Sequence, residues 1–111
     1  MRSDQERLLD ILEAIGKLEA HKASQKADFD ADEMLQVWAV HYLQIIGEAA
    51  SRISNDLRSQ HPEIPWGKMI GTRNVLVHGY FAIDLDIVWS ALDVDLLELK
   101  TQIQSILQTP E

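Results

Sequence analysis

Apolar side chains recur at intervals of three and four residues along most of this chain, a period that fits a helix and not a strand. Leu8, Ile11, Leu12, Ile15 and Leu18 form one stripe, with Asp10, Glu13 and Lys17 on the other side. Leu35, Trp38, Tyr42, Ile45, Ile46, Ala49, Ile53 and Leu57 form a second. A third is led in by Val88 or Trp89 and continues through Leu92, Leu96, Leu99, Ile103 and Ile106. The run Val75-Leu76-Val77 favours a strand locally, but the sequence offers no second such run for it to pair with. The segment from Trp66 to Tyr80 is therefore read as helix. The expected fold is all-α, an antiparallel bundle of four main helices forming a single domain over residues 1–111.

Local signals set the expected boundaries. Ser3-Asp4-Gln5-Glu6 has the spacing of a capping box, so the first helix should start there. Its stripe fades into the polar connection Ala20 to Ala27, and Asp30 followed by Glu33 repeats the capping logic. The second stripe predicts one long helix from about Ala31 to Gln60. Pro62 and Pro65 end it, because proline lacks the amide hydrogen and restricts the residue before it. Gly79 suits a helix C-terminus, residues 81–85 a crossing loop, and the last helix should run from about Asp86 to fray at Thr109.

Composition narrows the function classes. With no cysteine there is no disulfide framework, thiolate metal site or thiol nucleophile. The charge-free run Met34 to Gly47 is too short to span a bilayer, and the acidic N-terminal segment does not read as a signal peptide, so a cytoplasmic protein is expected. The formal net charge of −8 argues against a broad surface for nucleic acid. Its distribution leaves room for a small site: residues 34–82 hold four basic and three acidic side chains, whereas residues 1–33 hold five and nine, and residues 83–111 one and six. Acidic ends of this kind suit solvated faces or the docking of a basic partner.

Chemistry concentrates in Arg73-Asn74-Val75-Leu76-Val77-His78-Gly79-Tyr80. On a helix Arg73 and His78 are separated by about 7.5 Å along the axis and about 140° around it. Asn74 shares the side of His78, Tyr80 falls near the angle of Arg73, and Val75, Leu76 and Gly79 occupy the other half. This polar half-wheel suits a site facing a cleft. Because Arg73 and His78 diverge, one phosphate is gripped best if a second copy faces the first across a two-fold axis, which predicts a homodimer.

The run Arg73-x-x-x-x-His78-x-Tyr80 resembles the motif of the HepT toxins, within the HEPN superfamily of helical ribonucleases. Flanking runs are similar too: Ile45-Ile46-Gly47-Glu48-Ala49-Ala50, His61-Pro62-Glu63-Ile64-Pro65-Trp66, Gly79-Tyr80-Phe81 and Ile87-Val88-Trp89. Two departures, Thr72 where Met is common and Ala82 where Gly is common, touch neither polar group of the motif. The resemblance implies metal-independent cleavage of RNA at a dimer interface, with the ribose 2′-hydroxyl as nucleophile and no cofactor. His78 would then move the proton and Arg73 stabilise the phosphorane, with Asn74 supporting. It further implies a toxin-antitoxin pair whose partner, an MntA-type nucleotidyltransferase, transfers AMP to Tyr80 and silences the toxin.

Plainer readings stand beside these. A helical arginine is usually solvated or ion-paired, and a tyrosine usually packs its ring with its hydroxyl at the surface. Glu48 either pairs with Arg73 and pre-orients it or is a surface carboxylate. His21 reads as a connector residue, His41 as a helix-surface or interface residue and His61 as a helix-end residue, so no zinc site is indicated. Trp38, Trp66 and Trp89 read as core or seam. The second functional reading is a non-catalytic subunit that binds nucleotide or positions a nucleotidyltransferase partner.

Overall fold

The computed structural model describes residues 3–23, 25–78 and 84–108, without the side chains of 75–78 and 94. Every regular element among them is helical. Helix α1 (Asp4–Ala20) opens on the expected capping box: Ser3 Oγ accepts the Glu6 amide at 3.2 Å, and Glu6 Oε1 accepts the Ser3 amide at 3.1 Å. It buries Leu8, Ile11, Ala14, Ile15 and Leu18, the expected stripe with Ala14 added and Leu12 only partly covered.

The connection that follows contains a short helix, α2 (Lys26–Asp30), which exists to bury one residue. Phe29 is fully covered and lies 5.6 Å from the Trp89 ring, while Lys26 reaches both Asp30 and Asp86 at 2.8 Å and so ties α2 to the helical segment that begins at Leu85. Asp30 therefore closes α2 and does not cap the next helix. That role falls to Asp32, whose Oδ1 accepts the Leu35 amide at 3.0 Å.

Helix α3 (Glu33–Ser51) is shorter than the 31–60 helix expected. The backbone breaks over Arg52 and Ile53 and restarts in α4 (Asn55–Gln60). Polar side chains stabilise the break at three points. Ser54 Oγ caps α4 by accepting the Leu57 amide, Arg58 donates to the freed carbonyls of Ser51 (2.8 Å) and Ile53 (3.1 Å), and Asp4 accepts both the amide and the hydroxyl of Ser54. The apolar period runs through the gap because Ile53 is still buried, at 2% exposure.

Helix α5 (Trp66–His78) follows the two prolines, and Trp66 is buried with its indole nitrogen donating to the His61 carbonyl at 3.0 Å. Beyond residues 79–83, Asp84 caps α6 (Leu85–Ser90). A π-helical turn (Ala91–Asp95) then leads, without leaving helical backbone angles, into α7 (Leu96–Gln108). The extra residue in the turn was not foreseen; Lys22 meets Asp93 there and Lys68 meets Asp95. The expected loop over 81–85 and the C-terminal role of Gly79 lie almost wholly outside the described residues.

Helix α3 is the centre of the packing, with α1 on one side and α5 on the other. Trp38 donates to the Lys17 carbonyl near one end of α1 while Asp4 meets Ser54 near the other, so α1 and α3 run antiparallel. Glu19 with Lys100 and Lys22 with Asp93 set α1 antiparallel to the last helix as well. No described helix is long and apolar enough to cross a membrane.

Gly47 decides how closely α3 and α5 approach. A Cβ built on it would lie 2.2 Å from Arg73 Cβ and 2.8 Å from the Met69 carbonyl oxygen, so only glycine admits this crossing. The same contact sets the base of Arg73.

Candidate functional site

Arg73 leaves α5 where that helix presses on Gly47, and its side chain lies against the adjoining turn of α3. Its Nη2 is 2.9 Å from Glu48 Oε2, and its Nη1 donates to Asn74 Oδ1 at 3.1 Å. Glu48 also accepts from Arg52 Nε at 2.8 Å through its other oxygen. One carboxylate thus bridges two guanidinium groups, and Arg73, with its side chain 32% exposed, is held in one direction while still open to a ligand.

The electrostatics agree with this arrangement. The Glu48 carboxyl is held below the ordinary glutamate range, chiefly by the hydrogen bond from Arg52, against partial burial, and further by the charges of Arg52, Arg73 and Arg7. Glu48 therefore stays ionised at neutral pH and remains a counter-ion for Arg73.

A cleft of about 370 Å³ opens beside this group. Helix α1 contributes Arg7 and Asp10, α3 contributes His41, Gln44, Ile45, Glu48 and Ala49, and α5 contributes Arg73. A smaller cavity of about 50 Å³ under α5 has Leu43, Ile46, Met69, Leu96 and Leu99 in its lining with Lys68 and Asp95 also bordering it, and is too small to hold a nucleotide. Among the described residues no three His, Asp or Glu side chains are grouped to bind a metal ion.

The structure brings together three of the residues singled out from the sequence, Arg73, Asn74 and Glu48. Asn74 accepts from Arg73 through its side-chain oxygen. His78 is the last residue of α5, with its side chain outside the described residues, and Tyr80 lies outside them altogether. Sequence reasoning passed over Arg7, Arg52 and Gln44 and gave His41 no part in the site. For three of these a signal existed: His41, Gln44 and Arg52 fall at helical spacing with Glu48, on the face of the second stripe left free of core residues. Arg7 had none, since only the tertiary fold brings α1 to this place. Of the remaining histidines, His21 packs edge-on against Trp38, and His61 ends α4 and approaches Glu63 at 3.3 Å.

Comparison with known proteins points the same way. The model of the family described as "Ribonuclease HepT-like" matches residues 11–106. The chain is 37% identical over 106 residues to a protein of Thermococcus cleftensis named "Probable ribonuclease HepT", covering 95% of this chain and 96% of that one. It is 35% identical over 100 residues to "Putative RNase MJ1380" of Methanocaldococcus jannaschii (89% and 92%). A third relative, "Putative RNase TTE0752" of Caldanaerobacter subterraneus subsp. tengcongensis, is 34% identical over 91 residues (82% and 81%). No solved structure matches.

Proposed function

The chain belongs to the ribonuclease HepT-like family, and from that premise we propose that it is the toxin of a toxin-antitoxin pair that cleaves RNA without a metal ion. The observation that carries the reading is the Arg73 guanidinium, fixed by Glu48 and Asn74 at the mouth of a polar cleft. A charged fork held there can meet the extra negative charge that develops on a phosphorane. His78, one and a half turns further along α5, takes the proton of the ribose 2′-hydroxyl as its oxygen attacks phosphorus. The bond from phosphorus to the 5′-oxygen breaks, and that oxygen receives a proton in return. Imidazole suits both transfers, and help of this kind is worth about 10²- to 10⁴-fold. Glu48 and Asn74 act through Arg73 by orienting it.

A homodimer is part of the proposal. Arg73 and His78 diverge by about 140° on their helix, so a second copy completes the set. Met34 and Val37, 84% and 64% exposed, continue the free face of α3 that carries His41 and Glu48, and this apolar end suits a like surface on a second copy. Tyr80, two residues past α5, is the proposed acceptor of AMP from an MntA-type nucleotidyltransferase. A nucleotide attached to it adds negative charge and bulk two residues after His78 in the motif and competes with the RNA phosphate.

Expression of the chain alone tests this. Growth should stop and RNA should be cut by the purified protein in the presence of a chelator, with both effects lost in Arg73→Ala and in His78→Ala. Co-expression of the partner nucleotidyltransferase should protect cells carrying the wild type but not Tyr80→Phe. Full activity in either of the first two variants would overturn the assignment.

A further inference from the structure

Cationic groups are unevenly disposed in this acidic chain. Lys22, Lys26, Lys68 and Lys100 each lie within 3.4 Å of an aspartate or glutamate. Arg52, just past the end of α3, and Arg73 of α5 instead share the one carboxylate of Glu48, and Arg7 of α1 lines the same cleft as Glu48 and Arg73. A polyanion repelled by a net charge of −8 would be drawn to such a point.

The cleft beside these arginines has the size and chemistry of a nucleotide site. Its volume of about 370 Å³ suits one small ligand and excludes a duplex. Ile45 and Ala49 supply an apolar wall, and His41 adds a flat ring on which a base can stack. The Gln44 amide, with two donors and an acceptor, has no hydrogen-bond partner among the described residues and borders the same space. Asp10 also lines it; its charge disfavours a phosphate at that point and suits a ribose hydroxyl or an exocyclic amine.

We infer that this cleft is the binding subsite for the unpaired nucleotide adjoining the scissile phosphate, with Arg7 holding the outer phosphate of that nucleotide and His41 and Gln44 meeting its base. The inference rests on the ribonuclease reading of Arg73. It makes the enzyme a reader of single strands, with the Arg7 contact to that outer phosphate adding affinity for a substrate longer than the two nucleotides that flank the broken bond.

The test uses the unmodified full chain and oligoribonucleotides sharing one scissile step: a dinucleotide, and the same dinucleotide extended by one nucleotide at its 5′ or its 3′ end. For the wild type, one extension should raise kcat/KM about tenfold over the dinucleotide. Arg7→Ala should erase that advantage, Arg7→Lys should keep part of it, and Lys100→Ala should leave it intact. Binding is read separately by fluorescence anisotropy with a 2′-O-methyl tetranucleotide, which has no nucleophile. Arg7→Ala should weaken it about tenfold and lower the salt slope of log Kd by about 0.7, the value for one phosphate contact on a single strand. If Arg7→Ala cuts both the dinucleotide and its extensions as the wild type does, the subsite is refuted and the ribonuclease reading survives. If the wild type cuts nothing but binds the tetranucleotide through Arg7, the reverse holds. If the variant changes the oligomeric state in sedimentation and not the binding, the cleft is a protein contact and the inference fails.

Discussion

Adding one methyl group to Gly47 probes how the fold sets the site. The new Cβ would begin 2.2 Å from Arg73 Cβ and 2.8 Å from the Met69 carbonyl oxygen, whereas ordinary contact starts near 3.4 Å. Both obstacles are backbone or next to it, so no side-chain rotation relieves them, and α3 and α5 must separate by about 1 Å. Overpacking of this kind typically costs about 1–3 kcal/mol. Replacing a mid-helix glycine with alanine returns about 1 kcal/mol. The net loss of up to about 2 kcal/mol should lower Tm by several degrees in a domain of this length. Gly16, in α1, has nothing within 4 Å of its notional Cβ, so Gly16→Ala keeps only the favourable part and should raise Tm by about 4 °C. The same substitution thus carries opposite signs in two helices, which scanning calorimetry reads directly. Moving Arg73 by about 1 Å should also cost the order of 10²-fold in RNA cleavage, far more than the small unfolded fraction explains. A Gly47→Ala protein as stable and as active as the wild type would refute the close crossing of α3 on α5.

Further outcomes follow from other contacts. Glu48→Gln keeps the shape but not the charge that orients Arg73, so cleavage should fall about tenfold while stability moves by less than about 1 kcal/mol, as for exposed ion pairs. Because the Glu48 carboxyl titrates below its ordinary value of 4.5, its stabilisation is present above that pH and is lost as pH falls through the lower folded value. Urea unfolding at pH 3–6 should therefore show an extra acid-side loss in the wild type that Glu48→Gln lacks; parallel curves would refute the shift. Phe29→Ala empties the fully buried position that justifies α2 and should cost about 3–5 kcal/mol in equilibrium unfolding. Ser54→Ala removes the cap at the break after α3 and should cost about 1 kcal/mol by the same measurement.

Much of the architecture was legible in the sequence, because helical stripes depend only on neighbours three and four residues away. Leu8, Ile11, Ile15 and Leu18, and Leu92, Leu96, Leu99 and Ile103, are buried as their spacing demands. The break at Arg52–Ser54 was hidden by that same signal: Ile53 and Leu57 stay in phase across it, while the cap that opens α4 rests on a lone serine. Helix α2 has one buried residue and so no period to detect. The π-helical turn leaves no mark in a stripe that tolerates one extra residue. Within the site, Glu48 and Arg73 could be related through their motifs, and the structure sets them 2.9 Å apart. The approach of Arg7 depends on α1 lying antiparallel to α3, which no local pattern encodes.

The claim that Arg73 stabilises the phosphate in metal-independent RNA cleavage is tested most directly by single-turnover kinetics on the unmodified protein in chelator, with the product ends identified. Wild type should yield 2′,3′-cyclic phosphate and 5′-hydroxyl ends, and Arg73→Ala should reduce the rate about 10²- to 10³-fold with the same ends. Cleavage by Arg73→Ala within threefold of wild type, or wild-type products bearing 5′-phosphate, would contradict the account.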